Sequence, residues 1–303
     1  MLNRDDPMTA RVAILADIHG NVPALEATLA DLAQQRPDEI LIGGDLVGRG
    51  PEGSRVVAII REHGWRTIRG NHEDYLLAFR KGEVPKSWRR AEVWSAARWM
   101  AEELADEDVR YLDSLPNDLR SRRLPQVRLV HGTPRANTEG IGPWSSDRSM
   151  CRHLDSIQES VLVCAHTHRP LERCFPDGQV VNVGSVGLPF NRDPRAQYVV
   201  LHGEGDNVRV EFRQVDYDRA KTLSIYEASG FLEAGGVTSL LLSMEIRDAA
   251  PYLVPFLSWT AAEGVAQIPE AIDAFLAVYS PDRQREFFRG LKIEPRTVPG
   301  NQP

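Results

Sequence analysis

RVAILADIHGN, residues 11–21, is the stretch on which the reading of this chain turns. Its apolar centre is continuous rather than alternating, the mark of a strand buried on both faces inside an α/β sheet. The strand breaks at Asp17 and His19, an aspartate and a histidine two positions apart. Residues two apart on extended chain point to one side, and ligand sites of open α/β sheets lie beyond the C-terminal ends of strands. A helix should follow, with Asn21 as cap, Pro23 in its first turn and Leu25, Leu29 and Leu32 on one face.

The same rhythm continues outward. EILIGGD (39–45) leads through VGRGPEG to a helix begun by Ser54, and RTIRGN (66–71) leads to a helix through Tyr75, Leu76, Leu77 and Phe79. Residues 86–115 hold two more helical patterns, whose Trp88, Trp94 and Trp99 read as core anchors. VRLVHG (127–132) and SVLVCAHTH (160–168) resume the strands, with a short helix expected near Cys151 to Gln158. Two hairpins follow, LERCF with QVVNV and YVVLH with VRVEF. Beyond Tyr217 every pattern is helical, including LLLSMEI (240–246) and APYLVPFLSW (250–259). The expected organisation is therefore a disordered N-terminus at 1–10, an α/β domain at 11–215, and a helical C-terminal extension at 216–303 that ends in the disordered run EPRTVPGNQP.

Composition narrows the function. A net charge of −7 over 303 residues gives no strong nucleic-acid signal, and the basic residues gathered between Arg80 and Arg98 read as a solvated helical face. No apolar run approaches the roughly 20 residues needed to cross a bilayer, so no membrane association is expected. MLNRDDPMTA has no apolar core of the kind a secretion signal needs, which makes a cytoplasmic location the expectation. Cys151, Cys164 and Cys174 match neither a disulfide framework nor a zinc knuckle, and buried reduced thiols are expected.

The chemistry lies at the strand ends. Asp17 and His19 close the first strand, Asp45 the second, Asn71 and His72 the third, His131 another, and His166 with His168 a fifth. Five of the eight histidines thus fall where ligands bind, too many to assign to packing. Oxygen and nitrogen donors without thiolate suit manganese, iron, zinc or nickel, with manganese first. Asp17, His19, Asp45, Asn71, His131, His166 and His168 make seven candidate ligands, more than the four of a simple zinc site, and a carboxylate such as Asp45 can bridge two ions. Two divalent metal ions are expected.

In this order the residues resemble the calcineurin-like metallophosphoesterase family, whose pattern is D-x-H, G-D, G-N-H-[DE], H and G-H-x-H. HGTPR (131–135) and NVGSVGLP (182–189) are similar to its prokaryotic phosphodiesterase branch. The resemblance spans about residues 11–215 and implies an α/β fold of four layers, an αββα sandwich of two mixed sheets flanked by helices, carrying the C-terminal helical extension. It implies that Asp17, His19 and His168 hold one metal, that Asn71, His131 and His166 hold the other, and that Asp45 bridges them. It further implies a phosphoric ester hydrolase, with in-line attack on phosphorus by a metal-bridging hydroxide and His72 assisting as the catalytic histidine.

Three positions depart from the family pattern. Where its protein phosphatases have a second aspartate, Gly48 stands, so His72 should lack its acidic partner and a phosphodiester is the favoured substrate. Arg49 remains as a candidate substrate-binding residue. Ala165 replaces the glycine before H-x-H, a strained choice if that position needs positive φ. Val183 replaces a proline, which should loosen its loop while leaving the Gly184-Ser185 backbone to the rim of the site. Dinucleoside polyphosphate hydrolase, protein phosphatase and a non-enzymatic scaffold of the same fold, as in a retromer subunit, are the alternatives. The expected partner is a small phosphoester, contacted by candidates such as Trp88, Arg135, Trp144 and Arg148. The C-terminal helices offer a surface for a homo-oligomer.

Overall fold

The computed structural model describes residues 10–205 and 207–291. The termini expected to be disordered lie outside them, apart from Ala10. Among the described residues ten strands and twelve α-helices follow one another, beginning with β1 (Arg11–Leu15), α1 (Val22–Gln35), β2 (Glu39–Ile42), α2 (Gly53–His63), β3 (Arg66–Thr67), α3 (Asn71–Lys81), α4 (Ser95–Glu103) and α5 (Asp106–Asp113). The chain continues with β4 (Asp118–Arg120), β5 (Val127–Val130), α6 (Asp147–Leu154), β6 (Val161–Cys164), β7 (Leu171–Phe175), β8 (Gly178–Asn182), β9 (Ala196–Glu204) and β10 (Asn207–Val215). Helices complete it: α7 (Arg219–Ala228), α8 (Phe231–Ala234), α9 (Gly236–Asp248), α10 (Leu253–Glu263), α11 (Ile272–Val278) and α12 (Gln284–Gly290).

The strands form two five-stranded mixed sheets, in the orders β10-β9-β1-β2-β3 and β4-β5-β6-β8-β7. The side chains of β1 explain why the sheets stack. Val12 and Ile14 pack with Leu129, Val163 and Val181 between the sheets, whereas Ala13 and Leu15 face Leu25, Val57 and Leu76 of the helices. On the far side of the second sheet, Leu162 and Val180 pack against Met150 and Leu154 of α6. Helix, sheet, sheet and helix make the four-layer αββα sandwich. Both faces of β1 are buried, which is why its sequence does not alternate.

Several local expectations meet the structure directly. Asn21 Oδ1 accepts the N–H of Ala24, capping α1. Glu52, rather than Ser54, stands at the cap position of α2, where its side chain makes no capping hydrogen bond. The short helix expected near Cys151 to Gln158 lies four residues earlier, with Ser146 Oγ capping it at Ser149. Of the cysteines only Cys164 is buried, while Cys174 is exposed. Trp88 and Trp94 are not core residues. They stack on each other, ring centroids 3.9 Å apart, at the wall of a cavity. The basic residues after Arg80 do not form one helical face either, since α3 ends at Lys81 and Arg98 turns inward to the carbonyls of Trp88 and Ala91.

From Arg219 onward the described chain is helical, and it is not set apart from the sandwich. Tyr226, Phe231, Leu242 and Ile246 lie in the same apolar cluster as Leu15, Leu46 and Met100. On the other face of α9, Val237 and Leu241 pack with Phe256, Trp259 and Phe275 in a second cluster. No helix among the described residues is long and apolar enough to cross a membrane.

Candidate metal centre

Each sheet delivers its donors from strand ends that meet in one place. Asp17 and His19 follow β1, Asp45 follows β2, and Asn71 opens α3, all from the first sheet. His131 follows β5 and His166 with His168 follows β6, both from the second. The loops are stitched together by backbone bonds, with Asp17 N–H on Gly44 O (3.1 Å), His19 N–H on Asp45 O (2.9 Å) and Ala165 N–H on His131 O (2.8 Å).

The Asp17/His19 and His166/His168 pairs converge, but not for the reason strand geometry suggests. Strand pairing has already ended, and Asp17, His19, Asp45, His166 and His168 all adopt left-handed backbone, with φ between 52° and 66°. Such residues are uncommon outside glycine and cluster where a site overrides local preference. Ala165 is not among them, so the methyl group there imposes no strain and packs between the sheets. Val183 likewise keeps its loop firm, with its N–H on Cys164 O at 3.0 Å and its side chain fully buried. Gly184 and Ser185 do not line the rim of the site. Ser185 Oγ instead donates to Asp17 O at 2.8 Å and holds that residue's backbone.

The donors form two sets: Asp17, His19, Asp45 and His168, then Asp45, His131 and His166, each with atoms within 4.8 Å of one another. Asn71 Oδ1 joins the second, 3.0 Å from His131 Nε2 and 2.8 Å from His166 Nδ1. Three imidazoles are committed at Nδ1 to backbone carbonyls: His19 to Val47 (3.2 Å), His131 to Gly43 (2.8 Å) and His168 to Leu188 (2.5 Å). A neutral ring that donates from Nδ1 presents a lone pair at Nε2. His19 Nε2 and His168 Nε2 nevertheless face each other at 3.1 Å.

The carboxylates pose the same problem. Asp17 Oδ2 accepts the N–H of His166 (3.0 Å) and Asp45 Oδ1 that of His72 (2.9 Å), while Asp17 Oδ1 and Asp45 Oδ2, both buried, receive no hydrogen bond. Acceptors converging in a buried space need cations, and a set of imidazole, carboxylate and amide oxygen suits divalent transition metals. Burial opposes the charge on His131, but Asp45 and Asp17 pull its pKa up to about 10. Burial holds His19 down to about 4 and His166 to about 3, leaving their nitrogens free for ligation.

His72 lies beside this centre, 4.9 Å ring to ring from His19. Burial, reinforced by the Arg49 charge, holds its pKa well below the usual imidazole range despite the pull of Asp45. Its Nε2 accepts the Nε–H of Arg49 at 3.1 Å, and Arg49 Nη1 pairs with Glu245 Oε2 at 3.0 Å. Among the described residues no carboxylate hydrogen-bonds the His72 imidazole, as Gly48 implies; Asp45 meets only its backbone N–H. Glu73, whose role the sequence leaves unread, accepts the N–H groups of Gly70 (2.7 Å), Asp45 (2.8 Å) and Leu46 (2.7 Å). Its place three residues after Gly70 is that of a helix-start acid reaching back, a signal present in Gly70-Asn71-His72-Glu73. Asn182 holds the histidine loop of the second sheet, donating to Ala165 O at 2.7 Å.

A cavity of about 1460 Å³ opens over the centre, lined by Asp45, Asn71, His72, His166 and His168. Trp88, Arg135 and Trp144 line it, whereas Arg148 is exposed and does not. Arg169 also lines it, its guanidinium 5.2 Å over the Trp144 ring, a neighbour that the sequence gives no reason to single out.

Fold and donor set together define a metal-dependent phosphoric ester hydrolase. Residues 10–170 match the profile described as calcineurin-like phosphoesterase, and the chain belongs to that family. A solved metallophosphoesterase from Sphaerobacter thermophilus is 26% identical, with a TM-score of 0.65 over 80% of this chain and 100% of that one. An uncharacterised protein of Methanocaldococcus jannaschii is 24% identical over 69% of this chain and 89% of its own. A symmetrical bis(5'-nucleosyl)-tetraphosphatase of Psychromonas ingrahamii is 38% identical over 23% of this chain and 26% of its own.

Proposed function

We propose that the protein is a phosphodiesterase working with two divalent ions, manganese first among the candidates. Asp17, His19 and His168 would hold one ion, Asn71, His131 and His166 would hold the other, and Asp45 would serve both. The observation that supports this most strongly is the pair of buried carboxylate oxygens, Asp17 Oδ1 and Asp45 Oδ2, left without hydrogen bonds among converging imidazole nitrogens. Such ions supply Lewis-acid charge and a nucleophile drawn from water at neutral pH.

The chain's own groups bind and orient the ester. Arg49 Nη2 has no hydrogen-bond partner among the described residues, and Arg49 lines the cavity beside His72. It takes a phosphate oxygen. Because Arg49 can only donate, His72 Nε2 is an acceptor in the free protein and the ring proton sits on Nδ1. When a phosphate oxygen engages Arg49, His72 Nε2 is released as a free lone pair; it would take the proton that the attacking water gives up and return it to the ester oxygen that departs, so that water supplies both the hydroxyl on phosphorus and the proton of the leaving alcohol. The preference for diesters rests on the likeness of HGTPR and NVGSVGLP to the prokaryotic branch and on Gly48, which removes the second phosphatase aspartate.

A dinucleoside polyphosphate is a second reading. The cavity supports it, being large and lined by Arg135, Arg152, Arg169 and Arg285 with the Trp88 and Trp94 rings, a combination suited to phosphates and bases. Metal analysis and hydrolysis of bis-p-nitrophenyl phosphate test the principal reading. Two metal equivalents and Mn²⁺-dependent turnover abolished by chelation are expected. A protein that takes up no metal and stays inert with added Mn²⁺ would sink it.

A further inference from the structure

We propose that Glu245, on helix α9 of the C-terminal segment, is a positioning residue of the active site that holds the Arg49 guanidinium where a substrate phosphate oxygen meets it. The proposal rests on the reading of Arg49 as a phosphate ligand given above, and it makes the C-terminal helices part of the site.

Glu245 is fully buried, and both of its oxygens are engaged. Oε1 accepts the N–H groups of Tyr252 (2.8 Å) and Leu253 (2.9 Å) at the start of α10, which fixes the carboxylate against the fold. Oε2 takes Arg49 Nη1. Arg49 is also held at its backbone, since its left-handed conformation (φ 63°) presents its carbonyl to the Tyr226 hydroxyl of α7 at 2.7 Å. The remaining N–H vector of its Nε goes to His72. A free arginine carries about 2 kcal/mol of rotamer entropy, and a side chain already ordered before the ligand arrives does not lose it on binding. A buried ion pair is a poor source of net stability. Here it orders a side chain that lines the cavity, with Nη2 left without a hydrogen-bond partner among the described residues.

A purely structural ion pair would lie at the same distances, so the test must separate the two. Wild type, Glu245→Gln, Glu245→Asp, Arg49→Ala and the Glu245→Gln/Arg49→Ala double variant are loaded with Mn²⁺. Each is titrated with inorganic phosphate by calorimetry and assayed for kcat and KM on bis-p-nitrophenyl phosphate, with metal content and Tm measured alongside. Glu245→Gln is expected to weaken phosphate binding about tenfold, the scale of one misaligned charged hydrogen bond, with metal content kept and Tm lowered by the unpaired Arg49 charge. Glu245→Asp should recover part of the loss. In the Arg49→Ala background the Glu245→Gln change should add nothing further, because the two act as one unit. Wild-type phosphate affinity in Glu245→Gln, additive losses in the double variant, or a loss that tracks falling metal content would each overturn the proposal. If phosphate binding shows the expected pattern while the diester is untouched, Glu245 keeps its role and the phosphodiesterase reading fails.

Discussion

At Gly48 an added Cβ would lie 2.5 Å from His72 Nδ1 and 2.9 Å from its Cβ, on a residue whose φ is +78°. The imidazole packs directly on the bare backbone, so this glycine shapes the site as well as removing an acid. Gly48→Ala should cost about 1–2 kcal/mol for the left-handed conformation. It should also push the His72 ring away from Arg49 and lower kcat on the order of 100-fold. Urea denaturation and steady-state kinetics check both figures, and a variant that keeps wild-type kcat would show that the ring position does not matter. The missing acid was legible in Gly44-Asp45-Leu46-Val47-Gly48-Arg49-Gly50. That Arg49 meets the His72 ring instead, itself held by Glu245, was not, because Glu245 lies 196 residues from Arg49 in the chain. An acid inside the apolar run LLLSMEI was the one trace of it. Asp17, His19, His166 and His168 were visible as pairs, but a spacing of two carries no sign of left-handed backbone.

Among the elements, α1 was the most legible, since its cap, its first-turn proline and its apolar stripe are all local features. β4 was not anticipated: Asp118–Arg120 is three residues long and exists by pairing with β5. How α1 is anchored to the sheet was not readable either. Arg213 of β10 grips Asp31 of α1 with two bonds, Nη2 to Oδ1 at 2.7 Å and Nε to Oδ2 at 3.1 Å, and the Tyr198 hydroxyl of β9 donates to the same carboxylate. Burial raises the Asp31 pKa, but Arg213 and Tyr198 outweigh it and hold the group below the usual carboxylate value. A depressed folded pKa stabilises the native state above the unfolded value of about 3.9 and ceases to do so as pH falls through the folded value. Asp31→Asn should therefore cost about 1.5–3 kcal/mol at neutral pH, the range for hydrogen bonds to charged groups. The gap from wild type should narrow below about pH 4. Urea melts at pH 7 and pH 3.5 measure it, and a gap that stays constant would mean the carboxylate charge contributes nothing.

For the molecule as a whole, the texture of the sequence changes near residue 216, where strands stop, yet the core does not. Helical spacing in α9 reveals apolar faces without saying what they meet, because Leu241 and Leu242 differ only in direction. Leu242 and Ile246 turn into the main cluster beside Tyr226 and Phe231, and Val237 and Leu241 turn into the terminal one. Burying one large apolar side chain contributes about 1.5–3 kcal/mol, so the four in the main cluster contribute about 6–12 kcal/mol. A whole domain is stable by only about 5–15 kcal/mol. A chain ending at Val215 would also lose Glu245 and the Tyr226 hydroxyl, and with them both holds on Arg49. Such a truncation is expected to lack a cooperative thermal transition by circular dichroism and to lose hydrolysis because the sandwich is destabilised. A truncated chain that melts cooperatively near the wild-type Tm and keeps its metal would reverse this conclusion and make the helices an appendage. If that chain had also lost phosphate affinity, the helices would act on the site through Arg49 alone.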